Sequence, residues 1–252
     1  MTLPTNPLVV IPSRLASTRL PDKPLADIHG APMIVHVWRR AVAAGIGPVV
    51  VACGDAAIAD AVRGAGGEAV MTRADHPSGS DRAFEAVQAL DPGGAFDAVI
   101  NLQGDLPAID PAVVRAVFAL LADPAVDIAT LAAEIRDAAE RDDPNAVKVA
   151  ASLAPGAASG RALYFSRAAI PSGDGPLYHH IGIYAFRRAA LARFVALPEG
   201  VLEARERLEQ LRALEAGMRI DVALVDTVPD GVDTPADLAR ARARLDPLNR
   251  PA

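Results

Sequence analysis

The chain has 252 residues, of which 51% are hydrophobic, 22% charged and 4% aromatic, and it carries a formal charge of −6; that length and apolar content suit a sizeable core and exclude disorder as its main state. An acidic balance with only ten aromatic residues excludes a general nucleic-acid binder, which needs a cationic footprint and stacking rings. Cys53 is the single cysteine, the opening MTLPTNPLVV has no basic stretch followed by an apolar one, and no apolar run reaches the ~20 residues of a spanning helix, so a soluble cytoplasmic protein without membrane contact or intramolecular disulfide is expected.

In chain order, short β-branched runs alternate with amphipathic segments rich in Ala, Leu and Arg. Strands are predicted over LVVIP (8–12), PVVVAC (48–53), EAVM (68–71) and DAVINL (97–102), with helices over 32–44, 56–65, 81–90 and 111–121. Pro32 opens the first helix and Asp110-Pro111 the last of this set. Such alternation marks βαβ units and predicts an α/β fold built on a doubly wound, mostly parallel, Rossmann-like sheet. After residue 125 the text becomes strand-rich (DIATLA, AVKVAAS, RALYFSR, HHIGIYAF), broken at 155–160 and 171–176, which predicts a smaller mixed-sheet subdomain. Two helices (187–197 and 202–216), a strand IDVALV and a last helix opened by Asp233-Thr234-Pro235 follow. No repeat or long linker divides the chain, so residues 1–252 are expected to form a single domain.

Chemistry concentrates in a few loops. After the first strand, Pro12 to Pro24 places Arg14, Arg19 and Lys23 among small residues. Ligands of open α/β sheets sit outside the carboxyl ends of the strands, where cations and free backbone N–H groups make a phosphate cradle; a solvated basic loop is the plainer alternative. Neither GxxxxGK[ST] nor a usable GxGxxG is present: Gly64-Ala65-Gly66-Gly67 lies between a helix and a strand, as a helix stop does. Asn101-Leu-Gln-Gly-Asp105 ends a buried strand, and Gly104 lets the chain turn so that Asp105 projects at the sheet's edge. A carboxylate beside a polyphosphate loop suits Mg²⁺, which shares phosphate oxygens with one or two protein carboxylates. Asp233 is the natural second ligand, or else a helix N-cap. The stretch Thr72 to Arg82 can hydrogen-bond a base edge or ribose, or be an ordinary loop with Ser80 or Asp81 as a cap. His179 and His180 adjoin an apolar strand without partners at metal-ligand spacing. Glu209, Gln210 and Arg212 stand among leucines at helical spacing, for which an exposed or interface face is the plain reading.

Taken together, PSRLASTRLPDKPL, GAPMIVHVW, TRADHPSGSDR, NLQGDLP, VKV, LYFSRAAIP, HHIGIYAF, LEQLRALE and GVDTPADL, in this order from about Val9 to Arg244, resemble the CMP-KDO synthetases. These are the 3-deoxy-manno-octulosonate cytidylyltransferases, within the wider group of sugar-activating nucleotidyltransferases. The resemblance implies the reaction of CTP with KDO to give CMP-KDO and pyrophosphate, with Mg²⁺ required, feeding lipopolysaccharide assembly, in a homodimer. It further implies a nucleotide-binding core at about 1–125 and 217–252 and a sugar-binding and dimerisation portion at about 126–216, with Leu202 and Leu208 as candidate dimer contacts.

Carried onto this sequence, the resemblance makes Arg14, Ser17, Thr18, Arg19 and Lys23 triphosphate contacts, with Arg73, Ser78 and Gly79 on the cytidine side. Asp105 and Asp233 become metal ligands. Gln103, Arg167, His180, Tyr184, Glu209 and Gln210 match sugar-binding positions, Arg167 pairing with the sugar carboxylate. Some positions depart from the family's text. Gly-Asp-Glu-Pro reads Gly104-Asp105-Leu106-Pro107 here, and the usual Ala-Thr-Asp after the second strand reads Ala52-Cys53-Gly54. Ser13, Asp22 and His179 replace Ala, Gly and Arg, and the loop from Pro171 to Tyr178 is short. These changes leave two alternatives beside KDO activation: a cytidylyltransferase for another acidic sugar, such as 8-amino-KDO or a sialic acid, and a catalytically weak nucleotide-sugar binding protein.

Overall fold

The alternation read from the sequence is realised in the computed structural model, which describes residues 2–16 and 19–246. Two units divide the chain: one holds Asn6–Arg115 and the segment from Pro229 onward, the other Ala116–Val228 and the residues before Asn6. The architecture is mixed α/β.

The first unit opens with β1 (Pro7–Ser13). A small antiparallel pair follows, β2 (Asp27–Ile28) and β3 (Ala31–Pro32), leading directly into α1 (Met33–Ala43). Then come β4 (Val49–Cys53), α2 (Ala56–Gly64), β5 (Glu68–Met71), α3 (Gly79–Leu90) and β6 (Ala98–Asn101). Within this unit four parallel strands lie in the order β5-β4-β1-β6. Every residue of β4 and β6 is buried. That explains why these strands read as unbroken apolar runs rather than alternating ones: each needs an apolar surface on both faces. Helix α3 begins at Gly79, two residues before the predicted start, because Ser78 rather than Ser80 or Asp81 is its cap, accepting from Asp81 N at 3.2 Å. Helix α4 (Pro111–Ala119) contains the boundary between the units and tightens into a 3₁₀ turn at Leu120–Ala122.

The second unit contains β7 (Ile128–Glu134), a short α5 (Ala138–Asp142), β8 (Lys148–Ser152), β9 (Ser159–Ser166), β10 (Tyr178–Arg187), α6 (Arg188–Ala196), α7 (Val201–Glu206), α8 (Gln210–Glu215) and β11 (Ile220–Val225). Its strands run β10-β7-β11-β9-β8, and only β7 and β11 are parallel neighbours. One further bridge, His179 opposite Lys148, joins β8 back to β10 and closes the five strands on themselves. The helix predicted over 202–216 is in fact two. Arg207 takes the left-handed conformation at φ 57°, and Leu208 behind it is buried. Turning the chain there seats Leu208 inside its own unit, which removes it as a candidate dimer contact.

The chain then returns to the first unit through α9 (Pro235–Leu245). Val232, Leu238 and Ala241 pack with Ile28 and Met33, fastening this helix over β2 and the start of α1. Among the described residues, no helix is long and apolar enough to cross a membrane.

Candidate nucleotide site

The carboxyl ends of β1 and β6 in the first unit border a cavity of about 510 Å³, lined by Pro12, Ser13, Arg14, Arg19, Lys23, His76, Ser78, Gly79, Arg82, Gln103, Gly104, Asp105 and Asp233, among others. This is where an open parallel sheet places its ligand. Arg14 and Arg19 are exposed on the loop after β1, while Ser17 and Thr18 lie outside the described residues.

Lys23 is the charged centre of the cavity. Its Nζ sits 3.0 Å from Asp105 Oδ2 and 2.9 Å from Asp233 Oδ1, and Arg19 Nη2 reaches Asp233 Oδ2 at 2.9 Å. Burial opposes the charge on Lys23, but the two carboxylates, Asp105 foremost, outweigh it and raise its pKa. The carboxylates, 128 residues apart in the chain, meet because Val232 N donates to the backbone oxygen of Asp105 at 3.0 Å, laying the segment before α9 along the end of β6. Gly104 allows that end to be built: a Cβ there would stand 2.8 Å from the carbonyl oxygen of Pro12. Close approach, rather than an unusual turn angle, is what requires glycine here.

The cap reading of Asp233 is overturned. Thr234 is the N-cap of α9, its Oγ1 accepting from Asp237 N at 3.2 Å, while the Asp237 carboxylate accepts from the N–H groups of Asp233 and Thr234 at 3.0 and 2.8 Å. The Asp233 side chain is thereby left to face Lys23 and Arg19. Among the described residues, no cluster of three or more His, Cys, Asp or Glu is arranged to hold a metal ion, so any ion here would rest on this pair.

Ser78 and Gly79 line the cavity as the sequence suggested, but Arg73 does not. It is exposed and turned to Asp75, with Nε 3.0 Å from Oδ1. Arg82, which the sequence reading did not single out, lines the cavity instead and is 2% exposed. Its spacing held the signal: Arg82 lies four residues before Ala86 on the inward face of α3, beside Ala83 and Val87, all buried.

The remaining predicted residues belong to the second unit. Arg167, at the end of β9, donates through Nε to Glu206 O at 2.9 Å, through Nη1 to Pro144 O at 2.9 Å and through Nη2 to Arg207 O at 3.5 Å. Its own N–H donates to Glu206 Oε2 at 3.1 Å. His180 is buried, with Nε2 3.0 Å from Thr130 Oγ1 and its ring edge-on to Phe165. Burial, with a smaller contribution from His179, pushes its pKa down to about 3, so the ring is neutral. Tyr184 lies 5.7 Å from His180, ring to ring, and burial together with Glu209 raises its phenol. Gln210 is buried, and its Nε2 has no partner among the described residues. Glu209 and Arg212 are half-buried, and Arg212 is ion-paired to Glu203, so the exposed-face reading of this segment does not hold.

The sequence model of a family described as Cytidylyltransferase matches residues 8–220. The chain belongs to this family, and within it to the 3-deoxy-manno-octulosonate cytidylyltransferases, as its relatives make plain. It is 70% identical to the 3-deoxy-manno-octulosonate cytidylyltransferase of Rhodospirillum centenum, over 99% of this chain and 98% of that one. It is 67% identical to the protein of the same name from Paramagnetospirillum magneticum, over 95% and 98%. A solved CMP:2-keto-3-deoxy-manno-octonic acid synthetase complexed with CTP superposes with a TM-score of 0.86 at 43% identity, covering 95% of this chain and 98% of that one.

Proposed function

We propose that this protein transfers the cytidylyl group of CTP to 3-deoxy-D-manno-octulosonate, giving CMP-KDO and pyrophosphate for lipopolysaccharide biosynthesis in the cytoplasm, and that it works as a homodimer. The observation that carries the reading is the convergence of Arg14, Arg19 and Lys23 with the Asp105 and Asp233 carboxylates in one cavity at the carboxyl edge of parallel strands. The strand order β5-β4-β1-β6 supports a doubly wound, Rossmann-like core around that cavity.

Arg14, Arg19 and Lys23 bind the triphosphate and stabilise the charge that builds on pyrophosphate as it leaves, with Ser17 and Thr18 in the same loop. Ser78 and Gly79 face the cytidine; Arg73 reaches it only by releasing Asp75. The donor set fits a divalent cation: two carboxylates already meet on one compact positive charge, the Lys23 ammonium, and Mg²⁺ takes one or two carboxylates beside phosphate oxygens. Asp105 and Asp233 would hold that ion. When bound, it supplies positive charge to the triphosphate and acidity to the attacking hydroxyl.

Arg167, His180, Tyr184, Glu209 and Gln210 are the sugar-binding residues of the second unit, and Gln103 that of the first. Among the described residues, three backbone carbonyls and no carboxylate side chain receive the Arg167 guanidinium, so it is oriented with its charge still available to a sugar carboxylate. Neutral His180 and buried Gln210 offer hydrogen bonds to hydroxyls. The anomeric hydroxyl of the sugar attacks the α-phosphorus and pyrophosphate departs.

Pyrophosphate release from CTP, with and without KDO and Mg²⁺, tests the reading. Release that needs all three supports it; no release, or equal turnover of ATP, overturns it. Competition among KDO, 8-amino-KDO and a sialic acid in the same assay settles the sugar.

A further inference from the structure

The family's usual acidic residue after the second strand is Gly54 here, and the space this leaves is filled from across the unit. A Cβ at Gly54 would stand 2.9 Å from Arg82 Nη1 and 3.3 Å from both Cζ and Nη2. The guanidinium seated there donates from Nη1 to Thr72 Oγ1 at 2.7 Å and Arg73 O at 2.9 Å, and from Nη2 to Ala74 O at 3.3 Å. Thr72 is itself moored to the end of β4, its N and Oγ1 both donating to Cys53 O, at 2.9 and 3.1 Å.

From these contacts we infer that Arg82, seated on Gly54, is a positioning residue for the nucleotide: it fixes the loop that runs from Thr72 to the cavity-lining Ser78 and Gly79. The loop's other ties run to α3 as well, where the Glu85 carboxylate accepts from Arg73 N at 3.2 Å and Asp81 accepts from Ser78 Oγ at 2.7 Å. Arg73 and Asp75 are exposed and paired with each other, while His76 is held by Glu85. Without the Arg82 fork, two part-buried carbonyls and the buried Thr72 hydroxyl lose their common partner.

The same corner also controls the basic loop. Gly54 N donates to Ser13 O at 3.0 Å, and Asp55, next in the chain, accepts from Leu15 N at 2.8 Å without capping its own helix. The end of β4 is thus the common anchor of both loops that line the cavity. No carboxylate is in direct contact with Arg82 among the described residues; burial and the nearby charge of Arg14 disfavour its own charge, with Asp55 and Glu85 offsetting this only from a distance. An anion in the cavity relieves that crowding of positive charge.

This inference rests on the assignment of the cavity to CTP. The test is a double-mutant cycle of Gly54→Ala and Arg82→Lys, read by KM for CTP, KM for KDO, kcat and thermal midpoint, with Arg14→Ala alongside. Gly54→Ala forces the guanidinium to shift and Arg82→Lys loses its planar fork, so each should raise KM for CTP, Arg82→Lys roughly 5- to 30-fold and Gly54→Ala by less, with KM for KDO within about twofold of wild type. Since both remove one seat, the double variant should be no worse than the worse single one. Unchanged KM for CTP in Arg82→Lys, or effects that simply add, overturns the proposal. So does a parallel rise in both KM values, which a purely structural lesion gives. If Gly54→Ala does not fold, Arg82→Lys alone decides by its KM split. If Arg14→Ala also leaves CTP use untouched, the assignment of the cavity to CTP has failed, not the role of Arg82 within it.

Discussion

At the scale of single residues, the site depends on charges held where no other group can replace them. Asp105 and Asp233 differ from most surface carboxylates in meeting on one lysine, so exchanging either for Asn keeps the size but removes charge at the place a cation would occupy. Loss of activity on the order of 10²–10⁴-fold is expected for Asp105→Asn and for Asp233→Asn in pyrophosphate release. Thermal midpoints should barely move, because Thr234 and not Asp233 caps α9. Near-full Mg²⁺-dependent turnover in both variants would remove the proposed metal site. Arg167 gives a second expectation. Lysine at this position keeps the charge but cannot serve three carbonyls and a carboxylate in one plane, so KM for KDO should rise more than KM for CTP. Equal rises in saturation kinetics would strip Arg167 of its sugar-specific role.

At the scale of elements, the strands and most helices were legible because strands buried on both faces, such as β4 and β6, leave unbroken β-branched runs, and helical faces repeat their apolar positions. EAVM and IDVALV match β5 and β11 residue for residue. What could not be read was set by partners distant in sequence. The break between α7 and α8 carries neither Gly nor Pro; it exists because Leu208 must be buried and Arg207 pays with a left-handed backbone. Arg207→Gly should therefore stabilise the protein by a few tenths to about 1 kcal/mol, measured by denaturant midpoint. Of the candidate site, the basic loop, Asp105 and Asp233 were visible as residues, but their convergence on Lys23 depends on a backbone bond between Val232 and Asp105 that no local pattern encodes. Arg73, assigned to the cytidine side, turns out to be claimed by Asp75, while Arg82 of the same stretch lines the cavity. The cap of α9, Thr234, stands one residue from Asp233, for which a cap and a metal ligand were equally open. Thr234→Ala should cost about 1 kcal/mol with kcat largely kept, the converse of the Asp233→Asn result.

For the whole molecule, buried His180 and half-buried His36 tie stability to pH. His180 is held neutral down to about pH 3 by burial, and burial also lowers His36, whose Nε2 lies 2.8 Å from Ile28 O. In the unfolded chain both titrate near the ordinary value of about 6.5. Between those limits the unfolded state binds protons that the folded state refuses. The stability they contribute is thus complete above about pH 6.5 and is lost as pH falls toward the folded values, by at most ~1.4 kcal/mol per pH unit for each residue. Denaturant melts at about pH 7.5 and pH 5 should show the fall, and His180→Phe should flatten it; an unchanged slope in that variant would exclude His180 as a source.

The interrupted make-up of the first unit bears on how the protein is made. Its sheet is encoded before residue 116, yet Asp233 and the helix that packs over Ile28 and Met33 come only after residue 228. A ribosome must therefore synthesise the entire second unit before the cavity can acquire its second carboxylate. A polypeptide released early, or clipped between the units, can keep Arg14, Lys23 and Asp105 and still lack half of the proposed ion-holding pair. Translation order thus gives a check: a chain truncated before Pro229 lacks Asp233 and the closing helix, and should release no pyrophosphate from CTP in the assay above.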